Sequence, residues 1–213
     1  MSETVTNGDE DVTRTASAPP GARAWPRPTQ RADGRRCGSD DERRRRMVDM
    51  AATQASALQL HKLASPDDPL LPAILALSNA IFNTNPSEDP THGSLAEWQA
   101  RLAQPSSFIV YLAPPTEAAP QPVAFLFMIP RITNPPLRNG VIESTHIWLA
   151  GVLPEWRRGG CLATMVAALD DIDPLTVCTY PSRFPNMWAW LNRRGWVQER
   201  ELAEGKVMFS RPR

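Results

Sequence analysis

Hydrophobic and polar positions take on regular periods from about residue 57 onward. Residues 58–63 alternate between apolar and polar side chains, which predicts a first strand. Apolar residues then recur at helical spacing over 70–82, with Pro72 in the first turn, where proline is well tolerated. Ser94 has Glu97 three residues later, as in a capping box, which predicts a second helix that ends near Leu102.

The rest of the chain continues this alternation of strands and helices. Apolar runs at 107–112 and 122–129 predict a strand pair that forms a hairpin, and 143–152 predicts a fourth, buried strand. A helix over 163–169, a strand over 175–179, a helix from Pro185 to Arg194 and a last strand over 206–210 follow. Gly195 marks the end of the last helix. This order predicts an α/β (α+β) fold of about six strands and four helices.

The first 50 residues differ from the rest in composition. They contain few large apolar side chains, so they bury too little surface to offset the entropy of ordering, and we expect them to be disordered. We therefore predict a tail over 1–55 and one folded domain over 56–213. Within the tail, Arg43–Arg46 is either a nuclear localisation signal or a solvated charge cluster beside Asp40 and its acidic neighbours.

Charge and cysteine content narrow the class of protein. The formal net charge is zero, which argues against a dedicated nucleic-acid binder. There is no apolar run of about 18 residues and no signal-peptide pattern, so neither a membrane span nor secretion is predicted. Cys37, Cys161 and Cys178 lack the spacing of a disulfide framework or a metal site. The simplest interpretation is a cytoplasmic protein without a metal.

The segment after the fourth strand has the composition of an anion-binding loop. Pro154 breaks the strand, Arg157 and Arg158 bring positive charge, and Gly159 and Gly160 lead into the predicted helix. Free N–H groups at a helix start favour a bound anion, and glycines let the backbone approach it closely.

Residues 152–162 resemble the acetyl-CoA loop of the GCN5-related N-acetyltransferases (GNATs), which has the form Val-x-Pro-x-x-Arg-x-x-Gly-x-Gly/Ala. Leu162 departs from this form, because it stands where the family has the last Gly or Ala. The resemblance extends over about residues 57–210. It implies the GNAT acyl-CoA N-acyltransferase fold, with a mixed, mostly antiparallel central sheet, and it implies acetyl-CoA as co-substrate with an amine acceptor.

The resemblance also implies which residues contact acetyl-CoA. Backbone groups at the end of the fourth strand would bind the pantetheine amides, the loop would bind the pyrophosphate, and a side chain on the later helix would contact the pantetheine arm. The residues concerned are Leu149, Ala150, Gly151, Val152, Arg157, Arg158, Gly159, Gly160, Cys161, Leu162, Ala163 and Asn186. Helix capping is the alternative for Asn186, and apolar packing is the alternative for Cys161.

The same resemblance gives candidates for proton transfer. In the family, a strand residue six positions before the loop's Val often acts as the base, and this count leads to His146, whose ordinary pKa lies near neutrality. The alternative is a structural histidine. The family's acidic tyrosine, in Leu-Tyr-x-x-x-Gly-Phe, corresponds here to Leu191, so Tyr180 is a substitute candidate for the acid unless it only packs beside the strand.

Two functions follow from these observations. The first is an acetyl-CoA-dependent N-acetyltransferase (an acyltransferase) that acetylates a primary amine by direct attack, with His146 as the base. The second is a catalytically impaired protein of the same fold that binds acyl-CoA or a protein partner, because Leu162 and Leu191 both depart from the active pattern. A nucleotide triphosphatase is disfavoured, since the chain has no Gly-x-x-x-x-Gly-Lys-Ser/Thr run.

Overall fold

A computed structural model describes residues 57–115 and 120–212, and of Thr91 only the backbone. The predicted tail over 1–55, with Arg43–Arg46, lies outside the described residues. Within them, none of the helices has the length and apolar character that a membrane crossing requires.

The described residues are organised around one seven-stranded sheet. Its order is β1-β2-β3-β4-β5-β7-β6, and all neighbouring strands are antiparallel except β4 and β5, which are parallel. The strands are β1 Gln59–Leu63, β2 Phe108–Ala113, β3 Ala124–Ile132, β4 Glu143–Val152, β5 Leu175–Thr179, β6 Val197–Glu201 and β7 Val207–Ser210.

Helices cover both faces of this sheet. They are α1 Leu71–Phe82, α2 Pro90–Gly93, α3 Leu95–Leu102, α4 Cys161–Ala167 and α5 Pro185–Arg193. On one face, buried residues of α1 and α3 pack with Ile109, Phe125 and Phe127, and we name this cluster the α1–α3 core. On the other face, residues of α4 and α5 pack with Leu126 and Ile147, and we name it the α4–α5 core. Alternate side chains of β2 and β3 thus enter opposite cores, as a two-sided sheet requires.

The mostly antiparallel α/β architecture predicted from the sequence is confirmed, with two differences in its elements. β6 was not predicted, because the sequence of Val197–Glu201 is mostly polar and lacks the apolar pattern of a strand. A strand of this composition is accommodated because it lies at the edge of the sheet. The short helix α2 lies between the helix predicted over 70–82 and the helix predicted from Ser94, where no element was predicted. The Asp89 side chain caps it by accepting from the N–H of His92. Ser94 caps α3 as predicted, by accepting from the N–H of Glu97.

β4 is irregular at Trp148. Leu149 pairs with Phe127 and Ile147 pairs with Met128, so Trp148 is an extra residue with no partner on β3, which is a β-bulge. Trp148 and Leu149 both pack against the α1–α3 core, whereas Ile147 lies in the α4–α5 core. The bulge therefore shifts the alternation of β4 by one residue at this point.

β4 and β5 stay together over a short distance only. Their register runs from Thr145 opposite Leu175 to Ile147 opposite Val177, and the rest of β4 pairs with β3 alone. The sheet therefore has a gap between β4 and β5 that begins just after Ile147 and Val177.

Candidate active site

A cavity of about 280 Å³ lies at the start of this gap. Trp148 and Cys178, the residues that directly follow the last β4–β5 pair, both line it. The full lining consists of His92, Arg101, Ile129, Arg131, His146, Trp148, Cys178 and Lys206. Side chains from six separate parts of the chain thus meet where β4 and β5 separate.

His146 is held on both sides of its ring. The side chain is 5% exposed, its Nδ1 lies 2.9 Å from Oγ1 of Thr176, and its Nε2 lies 3.0 Å from Nη1 of Arg131. A guanidinium only donates hydrogen bonds, so Nε2 must be the acceptor and Nδ1 must carry the proton of the neutral ring. Thr176 also contacts Ser144 Oγ at 3.1 Å, so the imidazole is one member of a buried polar network.

These surroundings keep the His146 ring neutral. Burial is the largest cause, followed by the positive charges of Arg131 and Lys206, and together they lower the pKa of His146 from 6.5 to about 3. The neutral tautomer assigned from the hydrogen bonds is therefore the form present at neutral pH.

The cavity carries an excess of positive charge. Arg101 is paired with Glu97 at 2.7 Å, and His92 contacts Asp89 at 3.0 Å. Within 57–115 and 120–212, by contrast, no carboxylate forms a salt bridge with Arg131 or Lys206. The Arg131 guanidinium instead contacts His146 and, at 3.4 Å, the sulfur of Cys178.

Trp148 forms a rigid wall of the cavity. Its ring stacks on His92 with centroids 5.4 Å apart and meets Phe127 edge-on at 5.0 Å. The Arg101 guanidinium lies 4.3 Å from the ring centroid, within the range of a cation–π contact. The bulge residue is therefore fixed by its neighbours although it has no partner on β3.

The loop after β4 presents free backbone donors. Gly160, with φ +86°, precedes α4, and a Cβ added there would meet nothing within 4 Å. In the described part of the chain, the amides of Arg158, Gly160, Leu162 and Ala163 donate to no protein acceptor. Nε of Arg157 donates to the carbonyl oxygen of Val152 at 3.1 Å and so holds the loop closed on the end of β4.

Arg157 and Arg158 are both exposed beside these donors. Unpaired amides, open space around Gly160 and two guanidinium groups suit a diphosphate, which accepts several hydrogen bonds and carries negative charge.

Solved structures similar to this one are acetyltransferases. Aminoglycoside N-acetyltransferase AAC(6')-Iy in complex with CoA is 14% identical, with a TM-score of 0.53 over 68% of this chain and 91% of its own. NAA60 of Arabidopsis thaliana in complex with acetyl-CoA is 12% identical, with a TM-score of 0.51 over 72% and 97% of the two chains. A Bordetella pertussis protein described as a GNAT-family acetyltransferase is 14% identical, with a TM-score of 0.51 over 72% and 99%. The chain has the GNAT fold.

Sequence comparison gives no such match: no protein-family model matches the chain, and no curated protein does. The similarity is therefore found by comparing backbone structures, at sequence identities of 12–14%.

On this GNAT fold, the residues predicted to contact acetyl-CoA lie along one path. Leu149–Val152 form the part of β4 beside the gap, and Arg157–Ala163 form the loop and the start of α4. Two positions in this path are constrained by packing: Leu162 packs against the α4–α5 core, and a Cβ added to Gly151 would lie 2.6 Å from Cε1 of Phe125. Leu162 thus departs from the GNAT motif with its side chain directed to the core.

Cys161 is buried in the GNAT loop. Its side chain is 2% exposed, its sulfur donates to the carbonyl oxygen of Trp156 at 3.6 Å, and burial raises its pKa. A thiol in this state is a small apolar core residue and a poor nucleophile.

The predicted residues around β5 and α5 are more scattered. Tyr180 does not line the cavity, but the Nζ of Lys206, which does, lies 5.5 Å from the centre of its ring. Asn186 is exposed and is not the helix cap, since Phe184 precedes α5. Leu191, in the position of the GNAT tyrosine, is completely buried in the α4–α5 core.

Sequence reasoning missed Arg131 and Lys206. A signal existed for Arg131, because two positions separate it from Ile129, so it lies on the same face of β3, directly after an apolar run. Lys206 is one of only two lysines in the chain, but nothing in the sequence indicates that the turn before β7 reaches the cavity.

A larger cavity of about 500 Å³ lies elsewhere, between β1, the end of α3 and the start of β2. Lys62 is its only ionisable lining residue, and it is remote in the sheet from the β4–β5 gap. This second cavity has no groups suited to acyl transfer.

Proposed function

We propose that this protein is an acetyl-CoA-dependent N-acetyltransferase that acetylates a primary amine. The observation that carries the proposal is the gap between β4 and β5, which has unpaired backbone donors at the loop and a polar cavity at its start. Two structures of the same fold hold CoA or acetyl-CoA, which supports the choice of co-substrate.

The loop would bind the diphosphate of acetyl-CoA. The free amides of Arg158, Gly160, Leu162 and Ala163 would donate hydrogen bonds to it. The guanidinium groups of Arg157 and Arg158 would balance its negative charge. The backbone of 149–152 offers its edge to the pantetheine amides, since this part of β4 has no neighbour on the β5 side.

In the reaction, the amine nitrogen attacks the thioester carbonyl, the C–S bond breaks and the thiolate leaves with CoA. His146 takes the amine proton at Nε2, its acceptor nitrogen, directly or through a water molecule, once Arg131 releases that atom. Tyr180 is the candidate proton donor to the sulfur; without a donor the thiolate still leaves, because a thiol pKa near 8.5 makes it a fair leaving group.

Binding of CoA tests the loop assignment. Arg157→Ala removes a positive charge from the loop, and Gly160→Glu places a carboxylate among the backbone donors. We expect calorimetry to show at least a tenfold loss of CoA affinity in each variant. Arg193→Gln, an exposed change in α5 that also removes one positive charge, is the control. Unchanged affinity in both loop variants would contradict the assignment.

A second candidate function is a non-catalytic CoA-binding protein of the same fold. Both ring nitrogens of His146 are engaged in hydrogen bonds, and Leu191 supplies no acid, which favours this alternative. Release of free thiol from acetyl-CoA in the presence of an amine panel separates the two, because only the enzyme produces thiol in proportion to acetylated amine.

A further inference from the structure

We propose that the acceptor is an amine that also carries an anionic group, a carboxylate or a phosphate, which Arg131 and Lys206 bind in the cavity beside His146. This inference rests on the proposed function and deepens it, because it assigns a chemical class to the acceptor.

The charge of the lining is the first argument. The ionisable side chains around the cavity are His92, Arg101, Arg131, His146, Cys178 and Lys206, and no carboxylate is among them. Arg101 and His92 have acidic neighbours outside the cavity, Glu97 and Asp89. Among the residues that the structure describes, the charges of Arg131 and Lys206 are thus the two in this lining without a carboxylate partner.

The hydrogen bonds of Arg131 are the second argument. Its Nη1 contacts two neutral groups, the imidazole of His146 and the thiol of Cys178. Hydrogen bonds from a guanidinium to a carboxylate or phosphate are much stronger than those to neutral acceptors, and they form in pairs. An anion that enters the cavity offers Arg131 a better partner than either group it now contacts.

The location of this site relative to the imidazole is the third argument. Nη1 of Arg131 donates a hydrogen bond to Nε2 of His146, the nitrogen that must be free to take a proton from the amine. When Arg131 turns to the anion, it releases Nε2 and its charge is balanced, so the imidazole becomes a stronger base. Recognition of the anionic group thus prepares the group that deprotonates the amine.

A polyamine has the opposite character. Its charges would all be positive, and they would be brought close to two cations in a partly enclosed space, where the repulsion is stronger than in water. The cavity therefore selects against amines that carry only positive charge.

Matched pairs of amines test this inference on the full chain. Each standard amino acid with a primary α-amine is compared with its amide. Phosphoethanolamine and glucosamine 6-phosphate are compared with ethanolamine and glucosamine. Calorimetry measures the binding of each amine in the presence of CoA, and thiol release from acetyl-CoA measures turnover. The carboxylate and phosphate arms show which anion the site takes.

We expect at least one anionic amine to bind tenfold or more tightly than its matched neutral form. That preference should be lost in Arg131→Met and in Lys206→Met, and kept in Arg193→Gln. Lys206→Met is the safer variant for the fold, since within the described residues the Lys206 side chain forms no hydrogen bond or salt bridge and its Nζ lies 5.5 Å from the ring centre of Tyr180.

Equal or weaker binding of every anionic form would overturn the inference, as would a preference that survives both substitutions. Acetyl transfer is judged separately: turnover of neutral or cationic amines with no anionic preference sinks the inference and leaves the enzyme. Conversely, failure of CoA to bind sinks the proposed enzyme, while the binding of amines to the CoA-free protein still decides the inference.

Discussion

At the scale of single residues, the site depends on the state of His146. Its hydrogen bonds to Arg131 and Thr176 fix the tautomer, and burial with two nearby cations keeps it neutral. The network also fixes the ring in place, since Thr176 is completely buried and contacts Ser144 as well. Loss of any of these hydrogen-bond partners should therefore lower the free energy of unfolding.

Thr176→Val should destabilise the fold by about 1–3 kcal/mol, because it leaves the Nδ1–H of a buried imidazole without an acceptor. Urea unfolding followed by circular dichroism measures the change. Thr179→Val is the matched control, since Thr179 is buried in the same strand but has no side-chain hydrogen bond within the described residues. An equal loss in both variants would contradict the role given to the Thr176 hydroxyl.

The lowered pKa of His146 predicts how stability varies with pH. Between the unfolded pKa of 6.5 and the folded pKa of about 3, the unfolded chain takes up a proton that the folded protein does not. Stability from this group therefore falls as pH falls through that window, by up to about 1.4 kcal/mol per pH unit.

His146→Gln removes this dependence. The difference in unfolding free energy between wild type and variant should shrink as pH falls from 7 to 5, because groups other than His146 affect both proteins alike. Urea unfolding at each pH gives the values. Parallel curves for the two proteins would mean that the folded protein takes up a proton at His146 as readily as the unfolded chain does.

At the scale of elements, β4 has two functions. Its first half pairs with β5 and holds His146, while its second half has no strand partner on the β5 side, where the proposed ligand would bind. The second half is held by close packing, because Gly151 pairs with Phe125 across β3 and β4 and leaves no room for a larger residue. Gly151 is therefore needed for the packing of β3 on β4.

Gly151→Ala should destabilise the fold by about 1–3 kcal/mol, since its methyl group would overlap the Phe125 ring. A double variant with Phe125→Leu should recover part of the loss, because the smaller side chain leaves space for the added methyl. Thermal unfolding of the two single variants and the double variant measures the coupling. Additive effects would show that the two residues do not share this contact.

The elements were largely predictable from the sequence, and their irregularities were not. Periodicity located β4, β5 and α5, because each has a regular pattern and a clear proline or glycine at an end. The bulge at Trp148 left no mark in the pattern. Because of the bulge, residues on its two sides that are an even number of positions apart face opposite sides of the sheet. Val152 packs on the α4–α5 core, whereas His146, six residues earlier, faces the cavity. In a regular strand both would face the same side.

The candidate site was predictable only in part. The loop with Arg157 and Gly160 has a local sequence pattern, whereas the cavity combines Arg131, His146 and Lys206 from distant segments. The pKa of His146 depends on that assembly and on its burial. A sequence pattern carries the ordinary value of a side chain, and the fold decides how far it is shifted.

At the scale of the whole molecule, the two partners of the reaction would approach from different sides. The loop leads into α4, which packs in the α4–α5 core, while the cavity opens among residues that adjoin the α1–α3 core. Under the proposed function, acetyl-CoA and the amine would therefore be bound at the same time and would meet at the gap between β4 and β5.

We expect initial-rate kinetics in which both substrates bind before any product leaves, with intersecting double-reciprocal lines. Cys161 is buried, and burial raises the pKa of Cys161 and of Cys178, so neither thiol is suited to carry the acetyl group. Cys161→Ala and Cys178→Ala should each retain acetyl transfer. Parallel lines, or an acetylated cysteine found by mass spectrometry, would contradict direct transfer.

The unpaired position of Trp148 has a consequence for how the pocket can be altered. Trp148 is the extra residue of the bulge and pairs with no residue of β3. Its deletion would therefore leave Ile147 opposite Met128 and Leu149 opposite Phe127, in continuous register. The protein would lose ring contacts and one wall, but no rung of the sheet. The indole is therefore a part of the cavity wall that can be removed while every pair of the β3–β4 register is kept.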